Sequence, residues 1–109
     1  MKITDLPFCA TDWSTVERTE HPGATGMSWW RTLQFGDLRV RIMEYSADYR
    51  TGYWCEKGHV FFCIEGELEV ELEDGRRFVL TPGMSFQVAD GADRHRNYSR
   101  NGAKFFVVD

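Results

Sequence analysis

Three side chains able to do chemistry stand within seven residues of one another: Tyr53, Cys55 and His59, in the stretch TGYWCEKGHVFFCIEGELEVELEDG. A phenol, a thiol and an imidazole at that density can ligate a metal or move a proton. On an extended segment, side chains two apart face the same way, so Tyr53 and Cys55 converge, and His59 follows after Glu56-Lys57-Gly58. Each residue also has a plainer role open to it. A free cysteine is by default a small buried hydrophobe, and His59 can be a core histidine bonded to a backbone carbonyl. Cys63, in mid-strand, reads as packing. Cys9 and His21 lie in Pro-flanked loops without partners, and a structural role is expected of both.

The elements that must position these residues are strands. In LEVELEDGRRFVL, Leu68, Val70 and Leu72 alternate with glutamates, and Asp74-Gly75 reads as a two-residue hairpin turn. Arg76 and Arg77 return opposite the glutamates, where cross-strand pairing is expected. Pro82-Gly83 suits a type II turn. TLQF, a Gly36-Asp37 turn and LRVRIMEYS read as a second hairpin, and MSFQVA as a strand. RHRNYS, an Asn101-Gly102 turn and AKFFVV read as a third hairpin. Only DWSTVERTE invites a helical turn, capped by Asp12 or Ser14. Many short strands between Gly-containing turns predict an all-β sandwich or barrel. One strand is apolar on both faces: His59, Phe61 and Cys63 share one side, and Val60, Phe62 and Ile64 the other. Such a strand needs an outer cover, from a second sheet, from the N-terminal segment with Trp13, Trp29 and Trp30, or from another subunit.

The chain has 109 residues, enough for one domain with a real core. A net charge of −4 and a pI near 5.3 leave no basic stripe to displace counterions from phosphates, so no nucleic-acid partner is expected. No segment approaches the ~20 apolar residues of a membrane span, and MKITDLPFCATDW has no apolar signal region. Three cysteines form no disulfide framework. A cytoplasmic protein with reduced thiols is the economical expectation.

The stretch through Gly66, followed by LTPGMSFQVADGADRHRNYS, resembles the two motifs of the cupins, small β-barrels with a metal or ligand site in the mouth. In register with the motif glycine, Gly66, His59 stands at the position of the motif acid, and Tyr53 and Cys55 stand at its His-x-His pair. His95, after Pro82-Gly83 and a short strand, matches the histidine of the second motif. Nearly the whole chain is similar to the small single-domain cupins named for a DHCW motif, with Gly52-Tyr53 in place of the Asp-His pair. The resemblance implies a single cupin domain over 1–109, a double-stranded β-helix, with 1–30 an N-terminal arm and 31–109 the barrel strands.

It also implies that Cys55, His59 and His95 ligate a divalent transition metal. One thiolate and two imidazoles suit Zn, Fe, Ni or Cu and not Mg or Ca. Tyr53 is then a catalytic proton donor or a fourth ligand. Ionising a phenol of pKa near 10 at pH 7 costs about 4 kcal/mol before any metal contact, so occupancy can be partial. Three functions follow: a metal-dependent enzyme acting on a small molecule, a non-catalytic small-molecule-binding or sensing barrel, and a structural partner protein. A homodimer is expected from the two-faced apolar strand. Glu44, Tyr45, Arg39 and Arg41 are further candidates for the barrel mouth.

Overall fold

Strand alternation governs the observed architecture, a computed structural model that describes residues 2–109. A 3-10 turn, Trp13–Thr15, is capped by Asp12, whose carboxylate accepts from the Ser14 N–H. Eight strands follow: β1 (Arg18–Pro22), β2 (Met27–Phe35), β3 (Leu38–Arg50), β4 (His59–Gly66), β5 (Leu68–Leu72), β6 (Arg77–Leu80), β7 (Ser85–Val88) and β8 (His95–Val108). The segment 1–30, read as an arm, therefore supplies β1 and the start of β2. His21 belongs to β1, where it stacks on Trp30 at 3.6 Å, rather than to a loop.

All pairings are antiparallel, and β8 organises them. The strands run β1-β2-β3-β8-β4-β7. β3 lies along one side of β8; β5 flanks its first part on the other side, and β4 its second part. The Asn101-Gly102 hairpin predicted from the sequence is absent. β8 runs straight through it as one 14-residue strand. Gly102 takes φ +95°, but Asn101 and Ala103 stay in register with Ala47 and Tyr45 of β3. Long-range pairing on both sides overrides a local turn preference.

The other turns match their chemistry with one difference. Gly36-Asp37 closes β2 on β3, with Phe35 opposite Leu38. Met84 N–H bonds Thr81 C=O across Pro82-Gly83. The β5–β6 turn has three residues, Glu73 to Gly75, instead of two: Gly75 N–H donates to Leu72 C=O, and Leu72 N–H to Arg76 C=O. That is a type I turn closed by a glycine at positive φ. Arg77 pairs with Glu69 and Glu71 as expected, whereas Arg76 turns to Asp74 and Asp93.

Inside the barrel, Phe61, Cys63, Leu68, Val70, Phe105 and Val107 form the closed floor of the core. The two faces of β4 divide as the pattern predicts. His59, Phe61 and Cys63 are buried, while Val60, Phe62 and Ile64 remain 36%, 43% and 37% exposed. Of the tryptophans expected to cover that outer face, Trp13 meets Phe106 edge-on at 6.3 Å, and Phe106 is the cross-strand partner of Phe62. Trp30 lies instead on the inner cavity.

Candidate metal centre

Cys55 is held by backbone before its side chain is considered. It forms an isolated antiparallel bridge with His95, Cys55 N–H to His95 C=O at 2.7 Å and the reverse at 3.1 Å. The loop between this bridge and β4 is pinned by Gly58, whose N–H donates to Asp90 Oδ1 at 2.6 Å. A Cβ on Gly58 would come within 2.6 Å of the Asp90 nitrogen, so only glycine passes there. β4 then turns His59 inward, and β8 turns His95 inward beside it. The ligating atoms of Cys55, His59 and His95 all lie within 4.8 Å of one another.

The hydrogen bonds on the far sides of the two rings decide what they present to each other. His95 Nδ1 stands 3.1 Å from the Asp93 carbonyl, and His59 Nδ1 3.4 Å from Asp109 Oδ2. A carbonyl and a carboxylate only accept, so each Nδ1 carries the hydrogen and each Nε2 keeps its lone pair. Yet the two Nε2 atoms are 2.7 Å apart. Two lone pairs at that distance repel unless a proton or a cation lies between them. The Cys55 thiol faces the same space, so the donor set fits a transition-metal ion. Nitrogens on one tetrahedral zinc stand about 3.3 Å apart, so rings at hydrogen-bond distance part slightly to take one.

The surroundings favour a neutral imidazole at His95 and a charged carboxylate at Asp109. Burial lowers the His95 pKa, and nearby His59 lowers it further, against the Asp93 carbonyl. For Asp109, burial pushes the other way. The hydrogen bonds from His59 and Arg39 and the charges of Arg41 and Arg39 overcome it and hold the carboxyl well below its usual range. Arg39 grips Asp109 with two bonds, 2.9 and 3.1 Å, and Arg41 Nη2 adds a third at 2.8 Å. A carboxylate orienting a ligating imidazole in this way fixes its tautomer. Phe61 and Phe86 meet the His59 ring edge-on and exclude solvent from that side.

Tyr53 stands at the rim. The residue is 68% exposed and lines the same cavity. Of the four further candidates, Arg39, Arg41 and Tyr45 line the cavity and Glu44, one residue out of phase, does not. Cys63 is fully buried in the core and Cys9 is exposed, consistent with packing and surface roles. Sequence reasoning passed over Asp109, Asn97 and Trp54 and read Trp30 as an outer cover, yet all four line the cavity. A signal for two of them exists. Asp109 continues the inward parity of Phe105 and Val107, and Asn97 that of His95.

Compared by sequence, the chain matches no family model and no curated protein. Compared by structure, it is similar to ectoine synthase from P. lautus, with TM-score 0.76 at 20% identity, covering 93% of this chain and 76% of that one. An RmlC-like cupin from Shewanella frigidimarina gives TM-score 0.72 at 23% identity, with 90% and 86% covered. The polyketide cyclase RemF from Streptomyces resistomycificus gives 0.75 at 21%, with 94% and 78% covered. The fold is therefore that of the cupins, a small single-domain antiparallel β-barrel. Likeness at these identities speaks for the fold, and the chemistry has to be argued from the site.

Proposed function

We propose that the protein is a metal-binding cupin of the DHCW type, with Gly52-Tyr53 replacing the Asp-His pair, that acts on a small molecule in the barrel mouth. The observation that carries this reading is the pair of inward Nε2 lone pairs 2.7 Å apart beside the Cys55 thiol. Cys55, His59 and His95 hold a divalent Zn, Fe, Ni or Cu ion. Bound there, such an ion supplies Lewis acidity and an acidified water. The protein's own residues do the rest. Asp109 and the Asp93 carbonyl keep both Nδ1 hydrogens outward, the Phe61 and Phe86 rings exclude solvent, and Tyr53 offers a proton at the rim.

Elemental analysis and calorimetric titration of chelator-treated protein with Zn(II) or Ni(II) test the reading. One ion per chain is expected, and Cys55→Ala should bind at least about tenfold more weakly, since even an orienting partner of a ligand is worth that much. A native chain that takes up neither ion, or a Cys55→Ala variant of equal affinity, would refute it.

One observation favours a second reading. A proton shared between His59 and His95 also satisfies the 2.7 Å contact, leaving a non-catalytic binding or sensing barrel. We further propose that two copies pair through the outer face of β4, and that the protein is cytoplasmic. Its three cysteines are free, and no described helix is long and apolar enough to cross a membrane.

A further inference from the structure

The barrel is not closed all the way round. Among the described residues, β6 pairs only with β5 and β7 only with β4, so no ladder joins β6 to β7. Side chains of interior parity are left open along that gap. Phe78 is the cross-strand partner of Val70, which is 2% exposed, and so it belongs to the inward face. Yet Phe78 itself is 49% exposed. From the other side, β7 turns Phe86 and Val88 inward as the partners of Phe61 and His59 in β4.

The gap is a cleft of about 280 Å³, walled by Val70, Leu72 and Phe78 on one side and by Phe86 and Val88 on the other. His95 lines it too, and it also lines the cavity that holds Cys55 and His59. This histidine therefore stands between two spaces. Its Nε2 is turned to His59, whereas Asp93, whose carbonyl takes the Nδ1 hydrogen, lines the cleft. The Phe86 ring meets the His95 ring edge-on at 5.5 Å and stacks on Phe61 at 4.8 Å, which fixes the wall beside the histidine. The polar side chains of the cleft are largely committed. Ser85 Oγ donates to Gln87 Oε1 at 2.5 Å, and the Asp93 carboxylate takes a bond from Arg76 at 3.2 Å. No lysine or arginine among the described residues lines it.

From these features we infer that the cleft binds a small neutral molecule carrying an aromatic ring, seated between β6 and β7 against Phe78 and Phe86. The size fits. A cavity of about 150 Å³ lined by apolar side chains takes benzene, so this cleft has room for a ring and a short substituent. Phenylalanines on both walls favour a ring through offset or edge-to-face contact, and covering Phe78 removes its apolar surface from water. An ion would give up its water and find no uncommitted side chain of opposite charge, which is costly. A ring bound there packs beside His95 and Asp93 without needing an ion in the inner cavity, so the inference does not depend on the metal reading.

The test is an NMR titration of the protein, as purified and after chelator treatment, with benzyl alcohol and with benzoate, its anionic analogue. Benzyl alcohol should shift the Val70 and Val88 methyl signals and the His95 ring signals. It should bind at least about tenfold more tightly than benzoate, whose carboxylate gains no partner for the water it gives up. Phe78→Asp, at a half-exposed position, should keep the fold and lose benzyl alcohol affinity by about tenfold, the upper worth of an aromatic pair. If the variant does not fold, the two probes on the native chain decide. No binding of benzyl alcohol, equal affinity for both probes, unchanged affinity in a folded Phe78→Asp, or shifts confined to Trp30 and Tyr49 in the inner cavity overturns the inference. A cleft filled instead by a second copy would give a dimer that Phe78→Asp dissociates and no probe shifts, and that overturns it too. Benzyl alcohol in the cleft of a protein that takes up no metal would sustain the inference while removing the metal reading. Metal uptake without benzyl alcohol binding would do the reverse.

Discussion

Asp109 ties the proposed ligands to the charged half of the cavity. Its buried carboxylate takes bonds from Arg39, Arg41 and His59 at once. Removing one partner of a buried, hydrogen-bonded pair leaves the other charge uncompensated, at a cost of about 3–5 kcal/mol. Asp109→Ala is therefore expected to lose stability in that range by urea unfolding. It should also weaken Zn(II) binding, because the His59 ring loses the acceptor that sets its tautomer. A loss below about 1 kcal/mol would mean that Arg41 finds water when Asp109 goes, and that the site is more open than the geometry implies.

Among the elements, the crossing from β4 to β5 sets where the site sits against β8. Gly66 makes that crossing at φ +78°, and a Cβ there would lie 2.2 Å from the Gly102 carbonyl oxygen and 2.8 Å from Ala103 Cα. Both obstacles are backbone, so neither can swing aside. Gly66→Ala is expected to cost roughly 2–4 kcal/mol, combining the strained dihedral with the overpacking. Gly75 in the β5–β6 turn has φ +97° but open space around it. Gly75→Ala should cost only about 1 kcal/mol. Thermal melts of the two variants check the contrast; equal losses would show that dihedral strain alone, and not the close passage over β8, makes Gly66 necessary.

For the whole molecule, the outer face of β4 is the apolar surface that the chain leaves exposed beside Trp13. Trp13 reaches Phe106 but leaves Val60, Phe62 and Ile64 exposed in a row, with Phe78, Val79 and Met84 exposed elsewhere on the barrel. A contiguous apolar stripe of this kind favours a two-fold partner. Light scattering of the native protein at micromolar concentration should give a dimer, and Phe62→Glu a folded monomer. A native monomer would remove the pairing proposal.

Alternation in LEVELEDG and HVFFCIE was enough to place strands, to separate the His59 face from the Val60 face and to predict an all-β sandwich or barrel, because side-chain period two is local physics. The barrel itself was implied by the resemblance to the two cupin motifs. Pro82-Gly83 and Gly36-Asp37 were legible for the same reason: their φ preferences act within four residues. Asn101-Gly102 carried an equally clear turn signal and was overruled, since β3, β4 and β5 pair along the full length of β8. The meeting of Cys55 with His95 depends on a backbone bridge across 40 positions, and that of His59 with Asp109 on 50. No local preference encodes such contacts. Two buried polar atoms with no partner among the described residues, Arg41 Nε and Asn97 Oδ1, lie further still beyond local reading. An arginine in a strand is ordinary in sequence, and only closure of the barrel around it turns a surface charge into a buried donor without a partner.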